Sequence, residues 1–197
     1  MTQAKPRFRT IEEYLTYDDG TDTRYELVNG ELVEMAPENS LNPVVASFLF
    51  AAFLGLGIPY YRLVIGHQIA TTSAKVTARQ PDLIVHTEES AAAILSGGKL
   101  LMPEMPPPML VVEVISSSEN DKRSYNRDYV EKPKEYAARG IPEFWQIDPD
   151  KGRKVVIVLT LKDGAYQSRE FRGSDRVVSL TFPDLQLTAE QILRAGR

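Results

Sequence analysis

Cysteine is absent from this 197-residue chain, and histidine occurs only twice. Without cysteine there are no disulfides, no thiolate zinc sites and no thiol nucleophile. His67 and His86 lack a metal-ligand spacing, so any metal is expected to sit mainly among carboxylates, which favours magnesium or manganese over zinc. Long apolar runs are also missing: the longest, Val44 to Leu56, falls short of the ~20 residues that span a bilayer. Met1 to Thr10 is polar and basic, without the apolar stretch of a signal peptide, and a soluble cytoplasmic protein with no membrane partner is expected. Nor is positive charge in excess. Lys and Arg number 23 against 27 Asp and Glu, a net charge of −4, so a basic footprint for nucleic acid would have to be local. Repeats, linkers and low-complexity tracts do not occur either, and a single domain over residues 1–197 follows.

What is present is a buried strand with an acid inside it. Met109-Leu110-Val111-Val112-Glu113-Val114-Ile115-Ser116 is apolar on both faces apart from Glu113, the pattern of a strand covered on both sides. A carboxylate there is costly unless a metal, a cation or several donors compensate it. Pro81-Asp82-Leu83-Ile84-Val85 repeats the oddity, with Asp82 at the head of an apolar run. If the two strands are neighbours, Asp82 and Glu113 converge on one divalent cation able to polarise a phosphoryl oxygen and acidify a bound water. A cationic side chain beside them would offset charge in the transition state. Ile115 occupies the place where a compact acid-x-lysine strand would put it. The next candidates are Lys132 and Lys134, which helical spacing sets on different faces, Lys132 with Tyr136 and Lys134 with Ala138. Pro133 is expected to bias Lys132 toward extended backbone angles. The bland alternatives are a turn cap for Asp82, a solvated helix residue for either lysine, and core packing for Trp145. Ser116 to Ser118 lack a nucleophile elbow or a suitably placed histidine.

The remaining signals give the framework. Thr10 and Glu13 read as a capping box on a short helix to Leu15. Asn29-Gly30, between Arg24–Val28 and Glu31–Met35, is a strong hairpin signal. It sets Glu26 on a face with Val28, Val33 and Met35, and spacing alone makes Glu26 a solvated hairpin residue. Asn42 as N-cap and Pro43 at the first helical position open an internally packed helix through Leu54, stopped by Gly55 and Gly57. Tyr60–Thr72 and Val76–His86 are strand regions, Glu88–Leu95 a short helix and Gly97–Pro108 a loop. Ser117–Arg127 reads as a polar loop, followed by a helix boxed by Asp128 and Glu131, distorted near its start by Pro133 and closed by Gly140. Glu143–Asp148 is a strand. Val155–Leu161 and Ala165–Phe171 form a hairpin around Asp163-Gly164, and Thr188 with Gln191 caps a closing helix. The sum is an α/β (α+β) arrangement: a mixed β-sheet flanked by helices, with N-terminal and C-terminal hairpins.

Several of these pieces occur in a recognisable order. Tyr25-Glu26-Leu27-Val28-Asn29-Gly30-Glu31-Leu32 is followed by Pro81-Asp82-Leu83 and by Val112-Glu113-Val114-Ile115-Ser116. Then come Lys132-x-x-x-Tyr136, Gly140-Ile141-Pro142-Glu143-Phe144-Trp145 and Asp148-Pro149. This order, over roughly Tyr25 to Leu161, resembles the Uma-two family of bacterial endonucleases, within the PD-(D/E)XK restriction-endonuclease-like superfamily. The resemblance implies a magnesium- or manganese-dependent DNA endonuclease with Asp82 and Glu113 as metal ligands. It also implies Glu26 as the additional acid, against the reading from spacing, and Lys132 as the lysine displaced from the strand to the following helix. Asn42 stands where many relatives carry a histidine, and Ser117 where proline is common. The alternative is a non-catalytic binding or assembly protein on a nuclease-like scaffold. A homodimer would be one way for an acidic chain to embrace a duplex.

Overall fold

Alternation along the buried strands divides the larger sheet into two faces. The computed structural model describes residues 6–21, 23, 25–34, 40–71, 76–116, 121–150 and 152–195. Met35, expected to share a face with Glu26, and Ser117 to Asn120 of the polar loop lie outside them. The larger sheet has six strands: β3 (Leu63–Val64), β6 (Leu83–Val85), β7 (Leu110–Val114), β8 (Glu143–Asp148), β9 (Val155–Lys162) and β10 (Ala165–Phe171), in the spatial order 10-9-8-7-6-3. β7 and β8 are parallel and the other neighbours antiparallel, so the sheet is mixed. Leu83, Val85, Val112, Val114, Trp145 and Ile147 point to one face. There they pack with Val45, Leu49 and Phe53 of α2 (Leu41–Gly55) and Ile192 of α6 (Ala189–Leu193). Ile84, Val111 and Phe144 point to the other face and meet Tyr136 of α5 (Lys132–Ala138). Every residue of β7 and β8 is buried, as continuous apolar runs require.

The N-terminal hairpin belongs to a second sheet that the sequence does not announce. β1 (Tyr25–Val28) and β2 (Glu31–Glu34) join β4 (Ile69–Thr71) and β5 (Thr77–Arg79) in the order 2-1-5-4. Asn29 and Gly30 both have positive φ, 53° and 80°, the type I′ geometry that suits strand twist. Gly30 is required twice over, since a Cβ there would lie 2.5 Å from the carbonyl oxygen of Phe8. The expected strand regions Tyr60–Thr72 and Val76–His86 are each divided between the two sheets, and Pro81-Asp82 is the crossing point of the second.

Three helix starts differ from expectation. Thr10 accepts from the Glu13 amide ahead of α1 (Ile11–Leu15), but the Glu13 carboxylate reaches past Thr10 to the amide of Arg9. α2 begins at Leu41, so Asn42 is inside the helix rather than its cap; its side chain turns inward and donates to the carbonyl of Val114 at 3.1 Å. The helix is buried along one face only, with Val44 and Leu54 each 46% exposed. Beyond Asn120 the polar loop gives way to helix: α4 (Lys122–Asn126) is capped by Asp121, which accepts from the Ser124 amide, and runs through a π turn (Arg127–Glu131) into α5. Asp128 therefore lies within a helical segment and does not cap one. α3 (Glu88–Leu95), capped by Thr87, and the boxed α6 are as expected. Among the described residues no helix is long and apolar enough to cross a membrane.

Candidate functional site

The β6–β7 ladder closes with Leu83 opposite Val112. Asp82 comes just before β6, where that ladder ends, and its charge acts on Glu113. Asp82 Oδ2 accepts from the Val114 amide at 2.6 Å, while Asn42 holds the Val114 carbonyl, so side chains from two elements fix the end of β7. Glu113, 4% exposed, is gripped from α5: Lys132 Nζ donates to Oε2 and the Tyr136 hydroxyl to Oε1, both at 2.7 Å. Lys132 also lies 3.4 Å from Asp128 Oδ1, which pairs with Arg127 at 3.0 Å. Gln146, beside Glu113 in the parallel register, donates to the Asp128 carbonyl at 2.6 Å.

Lys132 reaches the strand because the chain stays helical through it. Its φ and ψ are −55° and −46°, so the expected extended bias from Pro133 does not prevail. Pro133 has no amide hydrogen for the carbonyl four residues back. The turn before it is widened instead, with the Lys132 amide bonding to the Arg127 carbonyl. Lys134 is exposed, which leaves Lys132 as the lysine facing the acids.

Glu26 is 6% exposed, and its expected position as a solvated hairpin residue is corrected. Oε1 accepts from the Gln80 amide at 3.1 Å and Oε2 from Arg79 at 3.3 Å. Arg79 is fully buried, grips Glu135 through Nε and Nη2 at 2.7 and 2.9 Å, and lies 3.6 Å from Glu131. This bidentate fork explains how a guanidinium persists inside the protein. Glu26, Asp82, Glu113 and Lys132 are thus brought together. Arg79, Asp128, Tyr136 and Gln146 complete the cluster and are not identified by sequence reasoning. Tyr136 and Asp128 each carry a signal, standing four residues either side of Lys132.

Among the described residues the carboxylates outnumber the cations: Glu26, Asp82, Glu113, Asp128, Glu131 and Glu135 stand with Arg79, Arg127 and Lys132. The consequence appears at Glu113. Burial, opposed by Lys132 but reinforced by Asp82 and Glu26, pushes its carboxyl up to about 7. Burial works the same way on Glu26, but Lys132 and Arg79 outweigh it and hold Glu26 below the usual range. Lys132, despite burial, is held charged by Glu113, Glu26 and Asp128. Such a surplus of buried negative charge suits a hard divalent cation. Among the described residues no group of three or more His, Cys, Asp or Glu side chains is arranged to hold a metal. The donor set that fits is the two-carboxylate kind that magnesium, which keeps much of its water, accepts. The two histidines lie at the other end of β6, rings 6.0 Å apart, with His86 bonded to Ser90.

No curated protein matches the chain. The fold is that of a protein from Anabaena variabilis ATCC 29413 described as a putative nuclease belonging to DUF820. The TM-score is 0.71 at 14% identity, covering 95% of this chain and 99% of that one. Residues 11–190 match the family Uma2, described as putative restriction endonuclease. The span takes in both sheets and every residue of the cluster, and the chain belongs to the Uma2 family.

Proposed function

We propose that this protein is a divalent-metal-dependent phosphodiesterase that cuts DNA. The observation that carries the reading is Glu113, buried within electrostatic reach of Asp82 with its carboxyl pushed up to about 7 and Lys132 in contact. Strongly perturbed buried acids cluster at functional sites. The family description and the described activity of the Anabaena protein support nucleic acid as substrate.

Asp82 and Glu113 would hold magnesium or manganese, which when bound polarises a phosphoryl oxygen and lowers the pKa of water. Tyr136 fixes the orientation of Glu113. Lys132 places a positive charge where negative charge grows on the phosphate and orients the attacking water. Glu26, held ionised by Lys132 and Arg79, is the accessory acid. Asp128 keeps Lys132 aimed at the strand.

The test is cleavage of plasmid, linear and single-stranded DNA by the full chain with magnesium or manganese and with chelator. We expect cleavage only with the cation. Asp82→Asn and Glu113→Gln should each lower it on the order of a hundredfold or more, while circular dichroism stays that of the wild type. Cation-independent DNA binding without cleavage would instead favour a non-catalytic binding protein. That second reading draws on Lys132 and Tyr136 already occupying both oxygens of Glu113.

A further inference from the structure

The helix that delivers Lys132 to the acids carries a second feature just upstream. Tyr125 and Tyr129 stack, ring centroids 4.6 Å apart and 25° between planes. The inner ring is anchored, since the Tyr129 hydroxyl donates to Asp148 at the end of β8, and Arg153 binds the same carboxylate. The outer ring, Tyr125, is 41% exposed. Lys122 and Arg123, also exposed, stand one turn or less before it. The pair sits on the same continuous helical segment as Asp128 and Lys132, and Tyr125 is only three residues from Asp128, or roughly 5 Å along a helix axis.

We infer that Tyr125, backed by Tyr129, is a stacking platform for an unpaired base, and that the substrate engages this site through a single-stranded segment. Stacked i, i+4 aromatics add a little helix stability wherever they occur. That role does not call for an inner ring tied to the sheet or for cations beside the outer one. Anchored aromatics with neighbouring positive charge are how single strands are held without reading their sequence. In an intact duplex the base faces are covered by their neighbours, so a ring on the protein surface can take only a base that is already unpaired or extruded. In a chain of net charge −4, Lys122 and Arg123 supply positive charge locally, on the helical segment that carries Lys132.

This inference rests on the phosphodiesterase reading for its substrate class, yet its test needs no catalysis. The full chain, in chelator, is titrated into a short single strand carrying 2-aminopurine and into the matching duplex. We expect tighter binding of the single strand, with the fluorophore quenched by stacking. Tyr125→Leu keeps an apolar side chain on Tyr129 but removes the π face. It should weaken single-strand binding about tenfold and abolish the quenching, leaving duplex affinity and melting temperature unchanged. Tyr125→Phe and Tyr125→Trp should behave as wild type. Any of three results overturns the platform: unchanged single-strand binding by Tyr125→Leu, equal loss toward strand and duplex, or a wild type that prefers duplex or binds neither. Failure of the parent reading looks different: a chain that binds through Tyr125 but never cleaves keeps the platform and loses the phosphodiesterase.

Discussion

A titratable side chain with almost no exposure tells which charge its surroundings are built to hold. Around Lys132 the answer is positive and around Glu113 it is divided: Lys132 favours the carboxylate while burial, Asp82 and Glu26 oppose it. His86 gives a third case. It is fully buried, and burial, with His67 and Arg62 adding to it, lowers its pKa from 6.5 to about 4. Folded His86 is therefore neutral where the unfolded chain would already carry the proton. The stability it protects is complete above pH 6.5 and is lost as pH falls from 6.5 through 4. One proton over that interval corresponds to at most about 1.4 kcal/mol per pH unit, or about 3 kcal/mol in all. His86→Asn keeps an atom near the Nδ1 position that meets Ser90 and removes the titration. Urea unfolding at a series of pH values should show the variant's stability falling less steeply than the wild type's between pH 6.5 and 4. An unchanged slope would mean that His86 is already protonated in the folded protein.

Whether a local irregularity causes a site or merely tolerates it is a question about elements. The π turn ahead of α5 coincides with Pro133, and two causes compete. Restoring an amide at position 133 offers one backbone hydrogen bond, worth about 1 kcal/mol, against a similar entropic gain that proline makes by restricting the unfolded chain. Rewinding the turn would shift α5 against α4. It would break the grip of Lys132 and Tyr136 on Glu113 and of Arg79 on Glu135, and one broken buried ion pair costs about 3–5 kcal/mol. The side chains win, so Pro133→Ala should retain the π turn. Its unfolding free energy should stay within about 1 kcal/mol of wild type, with metal-dependent cleavage intact. A loss of more than about tenfold in cleavage by a folded variant would show instead that the proline sets the lysine's place. The same contrast explains what is legible in the sequence. Asn29-Gly30, Asp163-Gly164 and the Thr188–Gln191 box mark their elements with local chemistry. β7 and β8 announce themselves by unbroken apolar runs, and Glu113 stands out against one of them. β3 to β6, of two or three residues each, carry too little alternation to show which sheet they join. Glu26 looks solvated because what holds it, Arg79, the Gln80 amide and the charge of Lys132, is remote in sequence.

At the level of the whole molecule, two sheets and one continuous helical segment converge on a place where, among the described residues, negative charge is in surplus, inside a chain whose total is already −4. β5 contributes Arg79, the turn into β6 Asp82, β7 Glu113 and the α4–α5 segment the lysine, so the surplus exists only in the folded state. A cation bound there must raise the stability of the entire fold by mass action, and by little elsewhere. At a free concentration a hundred times its dissociation constant, the gain is about 2.7 kcal/mol. For a domain of this size each kcal/mol moves the melting temperature by about 2–4 °C, so a rise of roughly 5–10 °C is expected with magnesium or manganese. Trp145, the one tryptophan, is fully buried with its indole donating to Glu143, which makes its fluorescence a direct reporter of the melt. Asp82→Asn and Glu113→Gln, each compared with itself, should show no rise, and sodium chloride at matched ionic strength should not reproduce the wild-type shift. A wild type whose melting temperature ignores both cations would mean that Lys132 and Tyr136 already compensate Glu113 in full, and the metal would have no place at the site.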